Sequence, residues 1–71
     1  MTLGERLRAV RQLRGLSQDD LAALSSVTQA SISDIETGEV RSPTGDTIVK
    51  LADALGVTTD YLLRDEVEER A

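Results

Sequence analysis

Apolar residues recur along this chain at intervals of three and four and nowhere alternate in twos over the length of a strand, so the pattern predicts helices throughout. Leu3, Leu7, Val10 and Leu13 share one helical face, behind Thr2 and Glu5 at capping-box spacing and ahead of a stop at Gly15. The opposite face then holds the arginines. Ser17 and Asp20 open a second, short helix whose apolar residues are Leu21, Ala22 and Leu24, with Asp19 and Asp20 in the first turn, where the helix dipole favours acids. Ser25, Ser26 and Val27 break the pattern. Thr28 opens a third helix with Ile32 and Ile35 inward and Gly38 as its stop. A polar loop, GEVRSP, contains Pro43 and leads to Thr44, the expected cap of a fourth helix with Ile48, Leu51, Ala52 and Leu55 inside and Gly56 at its end. A fifth helix, capped by Thr58, runs through Tyr61, Leu62 and Leu63 and is expected to fray in the acidic end of the chain. The expected fold class is therefore all-α, a compact five-helix domain.

Composition narrows what such a domain can do. At 71 residues it buries only about 60 % of the surface its unfolded chain exposes, so stability is marginal and packing must supply it. With no cysteine and no histidine there is no disulfide framework, no zinc cluster and no His-based or Cys-based catalysis. No phosphate-cradling glycine loop or paired nucleophile and base is visible, so neither an enzyme nor a cofactor is expected. No apolar run approaches a membrane span or signal-peptide core, and a cytoplasmic protein without membrane contact is the expectation.

Charge changes the picture only once it is placed. The net charge of −5 opposes nucleic acid at first sight, because binding phosphates relies on Lys and Arg. Residues 65–71, DEVEERA, contribute −3 of it, however, whereas the first fourteen residues hold Arg6, Arg8, Arg11 and Arg14 against Glu5 alone. A basic end and an acidic end coexist. Residues 1–64 read as the folded domain and residues 65–71 as an acidic tail or the stub of a linker.

Within residues 18–37 the spacing of Gln18, Leu21, Ala22, Val27, Ile32 and Ile35 is that of a helix-turn-helix, with a small residue where the two helices meet and apolar anchors in the second. The stretch resembles the Xre family of bacterial and phage regulators, which includes the lambdoid Cro and repressor DNA-binding domains. The likeness extends from ERLRAVRQLRGLSQDDLA through SISDIETGE to IVKLADALGVTTDYLL, roughly residues 5–63. It implies a lambda-repressor-like domain acting as a sequence-specific double-stranded DNA-binding transcriptional regulator, a repressor that works as a homodimer on a near-palindromic operator.

The resemblance also implies roles residue by residue. Gln29 matches a glutamine that reads adenine, and Thr28, Ala30, Ser33, Asp34 and Thr37 occupy the other outward positions of the recognition helix. Gln18 matches a glutamine that bonds a phosphate and braces that helix; Ser17, Arg14 and the loop residue Arg41 are the other expected backbone contacts. Arg11 and Glu36 match an internal salt bridge between the first and third helices. Three positions depart from the family pattern. Ser26 stands where glycine is frequent and is expected to be left-handed, and Asp34 and Glu39 stand where Lys or Arg is frequent. These acids keep a second reading open, that of a protein-interaction module such as an antitoxin or the partner-binding part of a larger regulator, using the fifth helix or the acidic tail. Single-stranded nucleic acid is disfavoured, since Tyr61 is the sole aromatic available for stacking.

Overall fold

The computed structural model describes the backbone of residues 1–70 and the side chains of residues 1–64. Five helices follow one another: α1 (Leu3–Leu13), α2 (Gln18–Ser25), α3 (Gln29–Thr37), α4 (Gly45–Leu55) and α5 (Thr59–Arg70). The expected fraying of α5 and the acidic tail fall on residues 65–71, whose side chains lie outside the described residues.

Each start is set by its own cap. Thr2 and Glu5 form a reciprocal capping box on α1, as do Ser17 and Asp20 on α2. Thr28 accepts from the Ser31 backbone N–H, Thr44 from that of Thr47, and Thr58 from that of Tyr61. Four ends turn on residues with positive φ: Gly15 after α1, Ser26 after α2, Gly38 after α3 and Gly56 after α4. Ser26, at φ 62° and ψ 20°, is the only non-glycine residue with positive φ among the described residues. It turns the chain between the two helices of the motif.

The core draws its largest fully buried side chain from every helix in turn: Leu7, Leu21, Ile32, Leu51 and Leu62. Full burial of such a side chain contributes about 1.5–3 kcal/mol, so no single helix dominates the stability. Helix α3 packs against both α1 and α2, α4 against α2 and α5, and α5 also against α1. Gly4 is buried where α1 crosses α3, and a Cβ there would collide with the Ile35 carbonyl oxygen. No feature of the apolar spacing had singled it out.

Two apolar residues are not where spacing put them. Leu13 is 82 % exposed and Leu24 is 62 % exposed. At roughly 100° per residue, Leu13 points about 90° away from the centre of the Leu3, Leu7 and Val10 stripe, at the last position of the helix. In α2 the stripe runs through Leu21 and Ser25, which are both buried, and leaves Leu24 to one side. Of the three arginines of α1, only Arg8 is exposed. Arg11 is 8 % exposed, and Arg6 lies half-buried over the Tyr61 ring of α5, 4.9 Å from its centroid.

Candidate nucleic-acid interface

Helix α3 buries Ile32 and Ile35 and thereby turns Ala30, Asp34 and Thr37 to solvent on its opposite side. Ser33, expected in the same outward set, is half-buried, because it sits at the margin of that exposed stripe. Thr28 is exposed but already engaged. Its hydroxyl caps the helix and donates to Ser31 Oγ at 2.9 Å. The far end of α3 is tied to its loop, where the Val40 N–H and the Thr37 hydroxyl both donate to the Asp34 carbonyl.

Gln29 begins α3, and its carboxamide is held from the side by α2. Gln29 Nε2 donates to Gln18 Oε1 at 2.7 Å, and Gln18 Nε2 in turn donates to Glu36 Oε1 at 3.1 Å. Glu36 also takes both prongs of the Arg11 guanidinium, with Nε to Oε2 at 2.7 Å and Nη2 to Oε1 at 2.9 Å. The remaining Arg11 nitrogen, Nη1, donates to the Leu16 carbonyl at 2.8 Å. With the Arg11 and Glu36 side chains only 10 % and 3 % exposed, this is a buried, fork-to-fork ion pair. The hydrogen bonds to Glu36 raise the Arg11 pKa above its ordinary value, against the desolvation that would lower it. A continuous polar chain thus runs from α1 through α3 and α2 back to Gln29, the first residue of α3.

The other expected contact residues are more scattered. Ser17 spends its hydroxyl on the Asp20 N–H at the start of α2, next to Gln18. Its hydrogen-bonded backbone N–H holds the Asp20 carboxyl below its ordinary pKa. Arg14 is drawn elsewhere, with Nε donating to the Leu55 carbonyl at the end of α4 at 3.1 Å. Arg41 is exposed in the loop after α3 and lines an open groove of about 530 Å³ with Thr2, Glu5, Glu36 and Thr37. Gln18 and Gln29 therefore meet at the start of α3, whereas Arg41 sits near its end, about 12 Å along a nine-residue helix. Asp34 on that second half and Glu39 just beyond the helix are both exposed.

No helix among the described residues is long and apolar enough to cross a membrane. Residues 7–62 match the HTH_3 helix-turn-helix family. The chain is 38 % identical over 71 residues to the HTH-type transcriptional regulator ImmR of Bacillus subtilis, a match covering 99 % of this chain and 55 % of that protein. It spans about half the length of the curated relatives it resembles. Among solved structures, the restriction-modification controller protein C.AhdI from Aeromonas hydrophila superposes with a TM-score of 0.80 at 38 % identity, over 84 % of this chain and 89 % of that one. The P22 c2 repressor protein, in complex with a synthetic operator, also gives a TM-score of 0.80, at 34 % identity over 87 % of this chain and 92 % of its own. Five capped helices, a left-handed turn between the second and third, and a family match over most of the length lead to one assignment: the chain belongs to the HTH_3 helix-turn-helix family of Xre-like regulators.

Proposed function

We propose that this chain is the DNA-binding unit of a transcriptional repressor, which places α3 in the major groove of double-stranded DNA and works as a homodimer on a near-palindromic operator. The observation that carries the proposal is the exposed stripe of Ala30, Asp34 and Thr37 on α3, with Gln29 anchored at its leading end. After one N–H of Gln29 has been given to Gln18, the second N–H and Oε1 match adenine N7 and N6. Asp34 can accept a bond from a cytosine amino group. Gln18, Ser17 and Arg41 flank the two ends of α3 as phosphate contacts, with Arg14 further off at the end of α4. A nine-residue helix reaches only a few base pairs, which favours two copies on half-sites about one helical turn apart. In this reading the protein binds rather than catalyses.

The test is a selection from randomised duplexes of about 30 base pairs, long enough for two half-sites, at low salt. Enrichment of one inverted-repeat motif is the expected result. Failure to enrich any motif would put the protein-interaction reading, through α5 or the acidic tail, in first place.

A further inference from the structure

We infer that Glu36 is a positioning residue for base choice: through Gln18 it fixes which way round the Gln29 carboxamide faces the base edge, and so makes that position prefer adenine to guanine. The inference rests on the reading of Gln29 as a base contact. Its starting point is that a carboxylate only accepts hydrogen bonds. Glu36 is clamped by Arg11, so whichever end of Gln18 faces it at 3.1 Å must be the amino end. Turning that amide over would set its carbonyl oxygen against a carboxylate oxygen whose side chain is 3 % exposed. The Gln18 oxygen therefore faces Gln29, and at 2.7 Å only the Gln29 amino group can answer it. Orientation passes along the chain of bonds from a charge that cannot turn to an amide that otherwise could.

What Gln29 has left is one N–H and one carbonyl oxygen. Adenine offers an acceptor at N7 and a donor at N6 and takes both. Guanine offers two acceptors, N7 and O6, and would press one of them against the Gln29 oxygen. An amide freed from Gln18 regains its second N–H and can turn both toward guanine.

The experiment uses the selected duplex and versions of it with A·T replaced by G·C one position at a time, measured with wild type, Gln29→Ala, Gln18→Met and Glu36→Gln. Gln29→Ala identifies the position it reads by losing the preference there. At that position Gln18→Met, which leaves the ion pair intact, and Glu36→Gln, which gives Gln18 a neighbour able to donate, should each lower the adenine-to-guanine affinity ratio by roughly ten-fold, as expected when a bidentate match is lost. A merely stabilising ion pair would change the melting temperature and leave this ratio alone. If Gln29→Ala erases the preference while both other variants keep the wild-type ratio, the inference is overturned and base reading stands. If Gln29→Ala alters no position, base reading by this residue falls and the inference with it. Should Glu36→Gln fail to fold, the ratio for Gln18→Met decides alone.

Discussion

Glu36 joins α1, α2 and α3 through Arg11 and Gln18. Removing one partner from a buried pair leaves the other charged and without compensation, which typically costs about 3–5 kcal/mol. Glu36→Ala should therefore lower the urea midpoint drastically or leave the domain unfolded; a midpoint within error of wild type would contradict burial of the pair. Gly4→Ala should also destabilise, by about 1–3 kcal/mol, because the Ile35 carbonyl is main chain and cannot swing aside. Ser26 should behave in the opposite sense. Its left-handed backbone strains a side chain, so Ser26→Gly should stabilise slightly, by at most about 1 kcal/mol, with the larger entropy loss of glycine offsetting part of the gain. A loss of stability in thermal unfolding would show that Ser26 is better suited to its turn than glycine.

At the scale of the helix, what the sequence revealed was local and what it hid was not. All five starts were legible because each cap bonds a backbone N–H three residues ahead, within the same short stretch. The inward residues of α4 and the Ile32, Ile35 pair of α3 were legible from period alone. Leu13 and Leu24 were misplaced because they lie off the buried stripes of their own helices, and the surroundings of Arg6 and Arg14 were hidden because other helices set them: Arg6 finds Tyr61, and Arg14, just past α1, finds the end of α4. The Gln18 link between Gln29 and Glu36 joins three helix positions whose meeting depends on how α2 and α3 pack. Local caps also predict a pH dependence. Asp20 has its folded-state pKa below the ordinary 3.8, so its contribution is present above that value and is lost as pH falls through the lower, folded one. Asp20→Asn should thus be less stable than wild type at neutral pH, and the two urea midpoints should converge as the pH falls below 3.8; a constant difference would separate the cap from the charge.

For the whole molecule, the acidic balance and the proposed DNA binding are reconciled by where charges are engaged. Glu36 is neutralised by Arg11, Asp46 pairs with Lys50 at 3.1 Å, and much of the excess lies beyond residue 64. Asp34 and Glu39 remain beside the proposed interface and offset its few cations, which predicts a shallow salt dependence and reliance on base matching for selectivity. The central claim is that α3 reads bases while the loop after it holds the backbone. Its most direct test is a salt titration of wild type, Gln29→Ala and Arg41→Ala on the selected duplex and on a scrambled one. Gln29→Ala should lose roughly 1–3 kcal/mol on the selected duplex and almost nothing on the scrambled one, while Arg41→Ala should weaken both alike and make the salt slope shallower by about one unit. Equal losses for Gln29→Ala on the two duplexes would contradict base reading by this helix.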